Sequence, residues 1–152
     1  VNTERIDAKV VALSISKKRG TTKHNVDSVE IIEDYGIVGD AHAGKWHKQI
    51  SLLSMESIER FNNESGFNVK AGEFSENITT EGIDILTSIP IKSVIKIGRD
   101  VVLEVTQHGK KEKEGCPIFA RVKKCMLPLE GIFAKVLKGG VVKVGDPIRI
   151  LK

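Results

Sequence analysis

Apolar residues along the chain recur mostly at every second position, in short runs separated by polar stretches that contain glycine. A period of two marks strands with one face on a core. Ile6 to Ser16 is such a run, and Val26 to Ile32 is a second, with Val29 and Ile31 on one side. Gln49 to Leu53 is continuously apolar toward its end, as a strand covered on both faces is. From Ser93 onward short strands dominate. Ile95 to Gly98 leads into Val101 to Thr106, and Val142 to Gly145 leads into Ile148 to Leu151, an echo that predicts two similar strand-turn-strand corners of one barrel. Gly131 to Leu137 and Val141 flank Lys138-Gly139-Gly140, a hairpin signal.

The helical period is clear once. Ser54 offers an N-cap, Met55, Ile58 and Phe61 form a stripe running through Glu64, Glu56 suits the positive end of the dipole, and Gly66 can close the helix. That stripe is what any docked helix needs, so its Met and Phe are read as core. Pro117 to Lys124 predicts a shorter helix with Cys116 at its N-cap. Many short strands and two helices predict a mainly β fold, a β-barrel with a few short helices.

The polar stretches carry the candidate chemistry. Gly36 to Leu53 holds two of the four histidines, the single tryptophan and three glycines, with Asp40, His42, His47 and Lys48 able to bond a ligand. The alternative is an Asp-capped turn with solvated histidines. Lys17 to His24 is a basic loop, either solvated or in contact with a ligand. In Ala71 to Gly82, the side chains of Asn77, Thr79 and Thr80 suit a phosphate or a polar ring. The same residues also suit a turn followed by an edge strand, where they would bond their own backbone.

Composition narrows the picture. A chain of 152 residues predicts one domain with a core of its own. No apolar run approaches the roughly 18 residues of a membrane span. Two cysteines suit a reducing compartment, so the expected location is the cytoplasm. The net charge of +4 is spread among interspersed acids, and aromatics are only 5%, which argues against nucleic acid and for a small anionic ligand.

The two cysteines differ in what surrounds them. An N-terminal helix position stabilises a thiolate, and Lys110, Lys111 and Lys113 precede Cys116, offset in part by Glu112 and Glu114. Cys125 would sit at the opposite end of that helix, where the dipole opposes a thiolate. Cys116 is therefore the candidate reactive or metal-binding thiol, with a buried structural thiol as the alternative. No Cys-x-x-Cys or His-x-x-x-His pair supports a zinc site.

Three segments together resemble the stand-alone bacterial MOSC domain, named for the C-terminal domain of molybdenum cofactor sulfurase. They are Gly39-Asp-Ala-His-Ala-Gly with His47-Lys-Gln-Ile-Ser-Leu-Leu, then Gly72-Glu-Phe-Ser-Glu-Asn-Ile-Thr-Thr-Glu-Gly-Ile-Asp, and Leu103-Glu-Val-Thr-Gln followed by Gly115-Cys-Pro-Ile-Phe, Cys125-Met-Leu-Pro-Leu-Glu-Gly-Ile-Phe and Val144-Gly-Asp. The resemblance implies the family's β-barrel and the binding of molybdenum cofactor (molybdopterin), or handling of its terminal sulfur with Cys116 as sulfur carrier or metal-facing thiolate. It implies a ligand role for Asp40, His42, Asn77 and Thr79, and a molybdoenzyme or cofactor-synthesis protein as partner. Pyridoxal phosphate belongs to a separate aminotransferase-like domain of the large sulfurases, for which this chain has no room.

Two positions depart from the family pattern: Glu112 stands where relatives commonly carry a cysteine, and Leu129 where they tend to carry a basic residue. A non-catalytic carrier or adaptor for the same cofactor, or for another anionic ligand, is the second reading. A divalent-metal protein using Asp40, His42 and His47 is the third. The resemblance also leads to the expectation that the loop at Asp40 and the stretch at Asn77 face one cavity.

Overall fold

The computed structural model describes residues 3–18, 23–109 and 130–151. Seven strands close a barrel: β1 (Thr3–Ile15), β6 (Ile78–Glu81), β5 (Ile50–Ser54), β9 (Ile132–Lys138), β8 (Val101–His108), β7 (Val94–Ile97) and β11 (Pro147–Leu151), with β11 returning to β1. Every pair is antiparallel except β5 with β6. That parallel pair needs a crossover, which the helix α1 (Met55–Ser65) supplies. The short β2 (His24–Val26) extends the sheet beside the end of β1. A second sheet is made of β10 (Gly140–Lys143), β3 (Ser28–Ile32) and β4 (Gly36–Ile37).

The alternation expected from the sequence is realised on β8, where Val101, Leu103 and Val105 are buried and face the interior. Leu13, Leu52, Ile78, Ile97 and Ile132 fill the same core. The strand β5 is buried along its whole length because it is covered twice. Leu52 points into the barrel, while Leu53 joins Phe133 on the outside, beneath Ile58 and Phe61 of α1. Phe61 meets Phe74 edge to face at 5.1 Å, closing this second, smaller core. The helix begins and ends where its residues predict: the Ser54 hydroxyl accepts from Ser57 N at 3.0 Å, and Gly66 ends it in the left-handed conformation.

Three details differ from the sequence reading. The strand after the Ala71 turn is not an edge: β6 lies between β5 and β1. Lys138-Gly139-Gly140 does not form a hairpin, because β9 pairs with β8 and β5 whereas β10 pairs with β3. The chain there changes sheets, passing so close over β3 that a Cβ on Gly139 would lie 2.4 Å from the Ile31 carbonyl oxygen. The echo near the C-terminus likewise divides. Its first copy is the paired β7–β8 hairpin, and its second is a corner whose strands belong to different sheets. The helix expected over Pro117 to Lys124 lies outside the described residues, and no helix among those described is long and apolar enough to cross a membrane.

Gly139→Ala tests the crossing. The added methyl meets backbone rather than a movable side chain, so the variant is expected to lose about 1–3 kcal/mol in urea denaturation.

Candidate functional site

The loop from Val38 to Gln49 connects β4 to β5 and is tied down at both ends. At its entry Gly36 has φ of +126°, and a Cβ there would lie 3.0 Å from the Gln49 carbonyl oxygen, so only glycine lets the loop close on itself. On one side, Ala41 N donates to the Ser16 carbonyl at the end of β1, at 2.8 Å. On the other, the Thr106 hydroxyl donates to the His47 carbonyl, and His47 Nε2 lies 2.8 Å from Gln107 Oε1 near the end of β8. β1 and β8 are not neighbours in the barrel, so one loop joins two separate parts of its wall.

The β1 end holds a buried, fully bonded carboxylate. Asp40 Oδ1 takes the Lys23 ammonium at 2.7 Å and Ser16 N–H at 3.1 Å, and Oδ2 takes the His42 backbone N–H at 3.1 Å. The side chains of Lys23 and Asp40 are both fully buried, whereas that of His42 keeps 23% of its surface in solvent. Lys23 Nζ also lies 3.2 Å from His42 Nδ1 and 3.4 Å from Ser16 Oγ. Burial alone would raise the Asp40 pKa. The nearby His42 ring, the charge and hydrogen bond of Lys23, and the Ser16 amide outweigh it and hold the carboxyl well below the usual range. Asp40 is therefore a carboxylate throughout the neutral range.

The β8 end is built differently. The exposed His47 ring stands edge-on to Trp46 at 5.9 Å, and Trp46 Nε1 donates to the His42 carbonyl at 2.8 Å. Lys48 Nζ lies over the Phe133 ring at 5.4 Å and near Trp46 at 5.9 Å, which holds its charge against aromatic faces. Gly109 N donates to the Gly131 carbonyl at 2.7 Å, so the segment that carries Cys116 leaves and rejoins the barrel next to the His47 contact. Cys116 itself, with Cys125, Glu112 and Leu129, lies outside the described residues.

The stretch at Asn77 reaches β1 two residues before the Asp40 contact. Its side chain is turned inward: Oδ1 accepts from Ser51 N at 3.0 Å and from Ser51 Oγ at 3.2 Å, while Nδ2 donates to the Ser14 carbonyl at 3.2 Å. Thr79 is also buried, its hydroxyl donating to Glu76 Oε2 at 2.7 Å. The polar atoms of Asn77 and Thr79 thus hold strands and turn together. The Thr80 hydroxyl is buried and meets no partner among the described residues. Glu76 is fully enclosed; burial raises its pKa against the pull of Gly72 N–H and Thr79, and its Oε1 has no partner among the described residues.

Asp40 and His42 are thus brought together, while His47 and Lys48 are held by another part of the wall. Asp40, His42 and His47 do not form a metal site: no group of three His, Cys, Asp or Glu among the described residues is placed to hold an ion. The ammonium on Asp40 already supplies the positive charge a metal would bring. Lys23 is a residue that the sequence reading did not single out within the basic loop from Lys17 to His24. Its partner is 17 positions away, beyond the reach of any local pattern. A surface groove of about 470 Å³ lined by Arg99, Asp100, Gly140, Val141, Lys143 and Asp146 lies at the start of β8, away from the Thr106 and Gln107 contacts. Its charges serve their own turns, Asp146 accepting from Lys143 N at 2.9 Å and Arg99 pairing with Asp100 at 3.2 Å.

Asp40→Asn leaves the buried Lys23 ammonium without its carboxylate, and a loss of about 3–5 kcal/mol in denaturation is expected. The sign with pH follows from the lowered pKa. The wild type keeps this stabilisation above the unfolded-state Asp value of about 3.9 and loses it as pH falls further, whereas the variant lacks that acid-side loss. Denaturation midpoints measured from neutral pH down into the acid range check both.

Among solved structures the fold is shared with the YuaD protein from Bacillus subtilis, at a TM-score of 0.80 and 22% identity over 98% of each chain. It is also shared with YiiM from Geobacillus stearothermophilus, at 0.72 and 18% identity over 95% of this chain and 75% of that one. For YiiM from Escherichia coli the TM-score is 0.67, with 16% identity over 98% of this chain and 70% of that one. None of the curated proteins matches the sequence significantly. The MOSC domain profile matches residues 39–149, from the site loop to the last strand of the barrel, and the chain therefore belongs to the MOSC domain family.

Proposed function

We propose that this protein binds molybdenum cofactor, with the loop at Asp40 and His42 contacting the anionic part of the ligand and Cys116 supplying a thiolate. The observation that carries this reading is the donor character of the site. The Asp40 charge is neutralised by Lys23, and the outward edge of His42 has no partner among the described residues. Lys17 and Lys45 are exposed on the two segments that meet here, Lys17 directly following the Ser16 that holds the loop and Lys45 three residues after His42. Such a rim of N–H groups and ammonium ions suits phosphate and oxo oxygens and repels cations. The residues present thus fit a ligand of this class, and His42, Lys17 and Lys45 would hold it.

When bound, the cofactor supplies a molybdenum centre that accepts oxygen and sulfur ligands; the chain supplies binding, orientation and the thiol. Glu112, standing where relatives commonly carry a cysteine, favours a second reading in which the protein stores or hands on the cofactor without chemistry of its own.

Protein purified from a host that makes the cofactor is expected to contain molybdenum and a fluorescent oxidised pterin in equal amounts. Protein from a cofactor-deficient host is expected to contain neither. Folded protein from the first host lacking both would overturn the assignment. For the thiol, limiting iodoacetamide applied across a pH series with peptide mapping is expected to label Cys116 faster than Cys125 below neutral pH; equal rates or the reverse order would remove Cys116 from the proposal.

A further inference from the structure

The Lys23 ammonium has three N–H donors and no acceptor. Among the described residues it has three polar neighbours: Asp40 Oδ1 at 2.7 Å, His42 Nδ1 at 3.2 Å and Ser16 Oγ at 3.4 Å. The side chain is fully buried, and these three acceptors match its three protons in number. His42 Nδ1 must then act as an acceptor. The opposite arrangement, with a proton on Nδ1 directed at Asp40, fails on distance: Nδ1 is 3.7 Å from Oδ2, too far for a hydrogen bond. A proton on Nδ1 would also point at the ammonium.

We propose that Lys23 is a positioning residue that holds His42 as the neutral tautomer protonated on Nε2, so that the loop offers its ligand a fixed N–H donor for an oxyanion oxygen. A ring nitrogen that carries a proton cannot ligate a metal, and the only unprotonated nitrogen of His42 faces Lys23. The pairing therefore sets specificity as well as geometry: phosphate-type or oxo oxygens are accepted at this edge, and divalent cations are refused. Asp40 acts at one remove, by keeping the ammonium charged and in place. The ligand class rests on the cofactor reading above, whereas the tautomer does not.

Long-range proton–nitrogen correlation spectra of 15N-labelled protein test this directly, with His42→Gln assigning the ring signals. The wild type is expected to show a pyridine-type Nδ1 and a pyrrole-type Nε2 for His42. Lys23→Met is expected to replace these with the averaged pair of two exchanging tautomers. Adding inorganic phosphate to the wild type should shift the Nε2 signal, and adding zinc should leave it unchanged. A wild-type ring protonated on Nδ1 or already averaged, an unchanged tautomer in folded Lys23→Met, or a response to zinc and none to phosphate overturns the proposal. Should Lys23→Met not fold, the wild-type spectrum and the two titrations decide alone. A phosphate response in protein that never acquires molybdenum would retain the tautomer and discard the cofactor.

Discussion

Closure of the barrel through β1 is the constraint on which the other parts depend. Its 13 residues pair with β11 over their first part, with β6 over the middle and with β2 at the end. A closed ring leaves no long sheet edge to be capped and fixes which side chains face inward. It also places the carbonyl of Ser14 and the amide of Ser16 where two separate polar stretches can bond them. Asn77 fastens one stretch, Asp40 the other, and both contacts exist only because β1 runs past its barrel partners. The packing of the apolar interior and the placement of the site are in this sense one event.

Lys23 and Asp40 show how such a position is used. Two opposite charges without solvent are costly to bury, and good geometry is needed to offset that cost. Here the backbone amides of Ser16 and His42 complete the shell of the carboxylate. The pair consequently defines a single arrangement for the loop, and the ring of His42 is set by its backbone and by the ammonium at the same time.

Much of the fold was legible because it depends on local patterns. The Ser54 cap, the Ile58 and Phe61 stripe and the Gly66 stop are local in sequence, and the alternation on β8 needs only its own residues. Barrel architecture followed from the number and shortness of such runs. What local patterns cannot carry is pairing. The Lys138-Gly139-Gly140 turn has hairpin composition, yet its glycine serves a close crossing of Ile31, more than 100 residues earlier. Asp40 and His42 stood out by type within a glycine-rich loop, but nothing near Lys23 announces a carboxylate 17 residues on. Asn77 and Thr79 have the chemistry of ligand contacts, and the same chemistry holds a wall together once both are buried. Type alone does not distinguish these uses; burial does.

The bond from Gly109 N to the Gly131 carbonyl has a consequence for how this scaffold can change. It closes the base of the excursion that carries both cysteines, with Glu130 further fastened to Arg60 and Ser57 of α1. Since the entropy of closing a loop grows only logarithmically, each doubling of its length costs about 0.6 kcal/mol. Residues can therefore be inserted, deleted or exchanged between these anchors at little expense to the barrel. Whatever sequence stands between these anchors, the loop at Asp40 keeps its own separate attachment to the end of β1.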